Sequence, residues 1–115
     1  MTAPIRVLFV CSQNRLRSPT AEAVFRGDPG LEVRSAGTDA DAPVPVTREL
    51  LEWADVILVM ERRHRNRIHA RFRDLYAEKP VRCLYIPDEY DFMDPALVAL
   101  LRERVPPLIS AGLAR

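Results

Sequence analysis

Two short runs, 5–10 (Ile-Arg-Val-Leu-Phe-Val) and 55–60 (Asp-Val-Ile-Leu-Val-Met), are almost wholly apolar and rich in β-branched residues. Runs of that length and make-up suit strands of a parallel sheet covered on both faces. Helix-like segments separate them, and no hairpin turn joins one apolar run to the next. Residues 18–26 start with Ser18 at the N-cap and Pro19 at the first helical position, and turn Ala21, Val24 and Phe25 inward. Residues 27–30 (Gly-Asp-Pro-Gly) stop that helix, 31–35 alternate as a more exposed strand, and 37–46 form a loop. Thr47 caps a short helix through Trp53. Residues 61–78 read as one helix with a stripe of Ile68, Phe72, Leu75 and Tyr76. Residues 80–86 make a fourth strand and 87–94 an acidic loop. Asp94-Pro95 opens a last helix that Pro106-Pro107 should end or kink.

The alternation predicts an α/β fold: a parallel sheet with right-handed crossovers and helices on both faces. The 115 residues fit one domain spanning 1–115, and 48% hydrophobic content allows a real core without disulfides. The net charge of +1 argues against a general nucleic-acid binder. Residues 61–73 hold six arginines, but Glu61 and Asp74 bracket them and no outward aromatic interleaves them, so they read as a solvated helix face. His64 and His69, five apart, fall on different faces and do not pair for a metal. No apolar run has membrane-spanning length, and two cysteines without CxxC spacing suggest a reducing, cytoplasmic setting. Cys83 reads as a buried, inert thiol.

In open parallel sheets, ligands bind beyond the carboxyl ends of the strands. The loop after the first strand reads Cys11-Ser12-Gln13-Asn14-Arg15-Leu16-Arg17-Ser18-Pro19. A Cys with an Arg six positions later is a weak signal in so arginine-rich a chain. A Ser-Pro after the Arg, behind a buried strand and ahead of a helix start, makes the signal specific. Loop N–H groups and the first helical turn converge on one anion site. Arg17 offers a planar fork for two phosphate oxygens. Ser18 can donate to the Cys11 sulfur, and Asn14 is the residue most able to take a left-handed conformation in a loop without glycine. Arg15 belongs at the cleft mouth, where it can select a second negative group.

At these residues the chain resembles the low-molecular-weight protein tyrosine phosphatase family, as a short bacterial-type member. The resemblance rests on residues 7–11 (Val-Leu-Phe-Val-Cys), Asn14, Arg17-Ser18-Pro19, Ala21-Glu22, Ser35-Ala36-Gly37-Thr38 and Pro87-Asp88. It implies phosphomonoester hydrolysis of the protein-tyrosine-phosphatase type, with a phosphocysteine on Cys11 and no metal or other cofactor. Cys11, Arg17 and Asp88 are then the catalytic residues, with Asp88 as general acid and base. Ser12, Gln13, Asn14, Arg15, Leu16, Ser18 and Tyr90 would bind phosphate or substrate, a phosphorylated protein or a small phosphomonoester. The fold expected is a three-layer sandwich around a four-stranded parallel sheet in the order 2-1-3-4. Three departures stand out: Gln13 replaces the usual Gly, Leu16 a second Cys, and Glu89 the Pro of the acid loop. Residues 37–46 also lack the aromatic wall of tyrosine-specific members. An oxyanion-binding module without turnover is the alternative. Arsenate reduction ranks lower, because it needs two further thiols and only Cys83 is available.

Overall fold

The computed structural model describes residues 3–76 and 78–113. Four parallel strands, β1 (Ile5–Cys11), β2 (Leu31–Gly37), β3 (Val56–Val59) and β4 (Val81–Cys83), form one sheet in the order β2-β1-β3-β4. That is the expected order. Alternate residues of the central strands face opposite layers, as the period of two demands. Val7, Phe9, Val56 and Leu58 pack against α1 (Arg17–Phe25) and α5 (Pro95–Leu113), through Ala21, Phe25, Leu97, Leu101 and Val105. Leu8, Val10, Ile57 and Val59 pack on the other side with Leu51 of α2 (Arg48–Trp53), Ile68 of α3 (Arg62–Arg71) and Leu75 of α4 (Arg73–Tyr76). Among the described residues, no helix is long and apolar enough to cross a membrane.

Several boundaries differ from expectation, each for a local reason. The helix read as 61–78 is two: Phe72, at φ −134° and ψ 53°, leaves the helical region and turns its ring toward the core. The side chain of Tyr76 lies outside the described residues. β2 extends two residues further than expected, to Gly37, which bonds backbone to backbone with Val44 and Val46. The fourth strand is shorter, because Tyr85 takes a left-handed φ of 56°. Its neighbours still bond to β3, Leu84 N–H to Val59 C=O and Ile86 N–H to Met60 C=O, each at 2.8 Å. Pro106 and Pro107 do not end α5. Leu97, Leu101, Val105 and Ile109, spaced by four, are all buried, and that packing carries the helix past the missing donors.

Candidate active site

β1 ends at Cys11, and the chain turns through residues 12–16 into α1. Asn14 makes the turn possible at φ 56°, the left-handed conformation expected of it. α1 begins at Arg17, with Leu16 at the N-cap and no side-chain hydrogen bond there. Ser18 is therefore not the cap that the sequence suggested. Its hydroxyl lies 2.9 Å from Cys11 Sγ instead, and the first-turn N–H groups are left without a side-chain acceptor. An uncapped helix start behind a cysteine is a ready place for an anion.

The hydrogen bonds beneath the loop run in one direction. Asn14 Nδ2 donates to Ser18 Oγ at 3.0 Å and to Ser35 Oγ at 2.9 Å, and Ser35 donates on to Glu22 at 2.5 Å. Ser18, already accepting from Asn14, donates to sulfur at 2.9 Å in preference to the Ala36 carbonyl at 3.4 Å. The Asn14 backbone N–H also points at Sγ, at 3.2 Å. Two donors thus face Cys11 Sγ.

Arg17 is 2% exposed and its orientation is fixed from behind. Its Nη1 donates to Glu61 Oε1 at 2.5 Å and to the Ile86 carbonyl at 2.8 Å. That carbonyl directly follows Tyr85, whose φ of 56° is left-handed. Asp88, mostly exposed, places Oδ1 3.8 Å from Arg17 Nε. Burial raises the Glu61 carboxyl, but hydrogen bonds from Arg63 and Arg17 outweigh it and bring the pKa down to about 2.

Glu61 and His64 form a reciprocal capping box at the start of α3. His64 Nδ1 accepts from the Glu61 N–H at 3.0 Å, so the ring hydrogen sits on Nε2, which donates to Ser12 Oγ at 2.9 Å. Burial, with Arg17 and Arg63 nearby, lowers the His64 pKa to about 4, and the ring is neutral. By sequence alone both residues belong to a solvated helix face. Much of that face is indeed exposed, yet Arg67 bonds Asp39 at 2.7 Å and Arg71 reaches the Thr38 carbonyl at 3.4 Å. The available signal was the Glu-x-x-His spacing directly behind a buried strand.

Cys11, Ser12, Gln13, Arg15, Leu16, Arg17 and Asp88 line one cleft of about 410 Å³, joined by Asp39 and Arg63, which the sequence did not single out. Asn14 and Ser18 lie buried beneath it. Tyr90 packs, partly buried, against the core and is not among the lining residues. Gly37 sits under the loop, and a Cβ there would meet the Ser12 carbonyl oxygen at 2.6 Å and the Asn14 nitrogen at 3.0 Å. Only glycine lets the two backbones approach this closely.

A family model described as low molecular weight phosphotyrosine protein phosphatase matches residues 6–43. A protein-arginine-phosphatase of Geobacillus stearothermophilus is 33% identical over 93 residues, covering 60% of this chain and 63% of the relative. A low molecular weight phosphotyrosine protein phosphatase of Schizosaccharomyces pombe is 48% identical over 64 residues, 45% of this chain and 41% of the relative. The chain thus spans less than two thirds of the curated relatives it matches. The low molecular weight protein tyrosine phosphatase of Streptococcus pyogenes superposes with a TM-score of 0.75 at 16% identity, over 96% of this chain and 95% of that one. At that identity the superposition speaks for the fold alone.

Proposed function

We propose that this chain, similar over residues 6–43 to the low molecular weight phosphotyrosine protein phosphatase family, hydrolyses phosphomonoesters through a phosphocysteine on Cys11. The observation that carries the reading is the placement of Cys11 Sγ between the Ser18 hydroxyl and the Asn14 N–H, in a cleft that also holds the buried Arg17.

Cys11 attacks phosphorus as a thiolate. The S–P bond forms as the bond from phosphorus to the leaving oxygen breaks, and Asp88 gives that oxygen its proton. Water then attacks the phosphocysteine, and Asp88 takes a proton from it. The S–P bond breaks, the electron pair returns to sulfur, and inorganic phosphate leaves. Ser18 donates to the sulfur in both steps. Arg17 and the loop N–H groups stabilise the charge on the transferring phosphoryl oxygens. Substrates are a phosphorylated protein or a small phosphomonoester, in a reducing, cytoplasmic setting. Relatives are named for phosphotyrosine and for phosphoarginine.

Turnover of para-nitrophenyl phosphate tests the reading. Cys11→Ser should abolish hydrolysis while phosphate still raises the melting temperature, because Arg17 and the loop backbone remain. Phosphate-induced stabilisation of the native protein without any turnover would favour a binding module. Hydrolysis persisting in Cys11→Ser would remove Cys11 as nucleophile.

A further inference from the structure

The walls of the cleft are charged and, among the described residues that line it, none is aromatic. Each carboxylate at the site already faces a cation. Asp39 bonds Arg67 at 2.7 Å, Asp88 lies 3.8 Å from Arg17, and Glu61 is shared by Arg17 and Arg63. Arg15 is different. It is exposed, lines the cleft four residues after the nucleophile, and has no carboxylate partner among the described residues. Arg63 lines the same cleft and also borders an adjoining groove with Arg62 and Tyr85, so positive charge continues past the mouth.

Resting on the phosphatase reading, we infer that the preferred substrate carries a second anionic group, a carboxylate or another phosphate, beside the phosphoryl group, and that Arg15 holds it, with Arg63, itself bonded to Glu61, adding positive charge beside it. A guanidinium fork pairs with such a group through two parallel donors. A phosphorylated arginine presents the opposite sign. Its guanidinium lies one bond from phosphorus and would meet Arg15 and Arg63, while Asp39 is engaged with Arg67. The substrate class therefore departs from the one in the name of the arginine-phosphatase relative.

Two aryl phosphates with closely matched leaving groups, para-tolyl phosphate and para-carboxymethylphenyl phosphate, test this directly. The carboxylated compound should show kcat/KM about fivefold higher, the size expected of one ion pair at an open site. The preference should shrink as salt rises. Arg15→Gln should lower kcat/KM for the carboxylated substrate more than for its counterpart, and Arg15→Glu should reverse the ratio. A ratio near one, a ratio indifferent to both substitutions, or N-phosphoarginine turned over as well as the carboxylated ester would overturn the inference. Peptides with phosphotyrosine beside Asp or beside Asn show whether a protein segment can supply the second anion, and equal rates on the two would exclude that source. Affinities of the same aryl phosphates for the Cys11→Ser protein give the comparison without turnover. A protein that binds but does not hydrolyse would thus sink the phosphatase reading and still decide this one.

Discussion

Ser12 Oγ lies 2.9 Å from Nε2 of His64, a residue 52 positions further along the chain, at the start of a helix on the far side of β3. The ring donates, so the serine accepts, and the serine's own hydrogen is left for the cleft that it lines. A neutral, buried imidazole thereby sets the direction of a hydroxyl at the anion loop. Ser12→Ala should cost about tenfold in kcat/KM, the worth of one hydrogen bond to a charged group. In the Ser12→Ala background, His64→Gln should cost no further activity in the folded protein, although it lowers the melting temperature. Independent losses from the two substitutions would show that His64 acts only through the fold.

Stability should fall on acidification in two overlapping stages. The His64 pKa is lowered in the native state, to about 4. The unfolded chain therefore takes up a proton first, and stability drops from about pH 6.5 down to about pH 4. Glu61, lowered to about 2, contributes stability above its unfolded value and loses it as pH falls from about 4.5 toward 2. The histidine stage is worth at most about 3 kcal/mol. Urea titrations across pH 7 to 4 should show the slope, and His64→Gln should flatten it. An unchanged slope in that variant would assign the loss to other groups.

Asp88→Asn should slow alkyl or unactivated phenyl phosphates far more than para-nitrophenyl phosphate, because only poor leaving groups need a proton in the transition state. The contrast should reach about 10²–10⁴-fold. An equal loss on both substrates would mean that Asp88 serves to position Arg17, which it faces at 3.8 Å.

Gly37→Ala places a methyl group 2.6 Å from the Ser12 carbonyl oxygen. Backbone cannot swing aside as a side chain can, so the loop must shift. We expect a loss of about 1–3 kcal/mol in stability and weaker phosphate binding, read by denaturation and calorimetry. Native phosphate affinity in Gly37→Ala would show that the loop tolerates displacement.

Peroxide should inactivate the protein without forming an intramolecular disulfide. Cys11 packs with the layer that holds α1 and α5, and Cys83 with the opposite layer. β3 lies between their strands, which sets the Cα atoms about 10 Å apart by strand spacing alone, beyond the about 7 Å that a disulfide spans. Leu16, beside Arg17, offers no thiol. Intact mass should therefore gain oxygen atoms on Cys11, more slowly with phosphate present. A loss of two hydrogens, with Cys11 joined to Cys83 in the digest, would refute this and revive the reductase reading.

The sheet was readable because residues 5–10 and 55–60 tolerate no other environment, and the anion loop because Cys11, Arg17, Ser18 and Pro19 stand at fixed spacing between a strand and a helix. What escaped the sequence depends on distance in three dimensions. Ser18 looks like a cap until Cys11 Sγ is found beside it. Glu61 and His64 look like part of a charged helix until β3 brings that helix start against the loop. Pro106 and Pro107 break a helix in isolation, but buried neighbours at four-residue spacing override them here.

The bonds from Arg17 to Glu61 and to the Ile86 carbonyl have an entropic consequence. An arginine side chain gives up about 2 kcal/mol of rotamer freedom when it is immobilised. Here that freedom is lost when the chain folds, before any phosphate arrives, so binding meets a clamp already ordered. Folding stability and affinity for phosphate then share the same contacts. Loosening Glu61 weakens both together, and the affinity lost should appear as a more unfavourable entropy of binding.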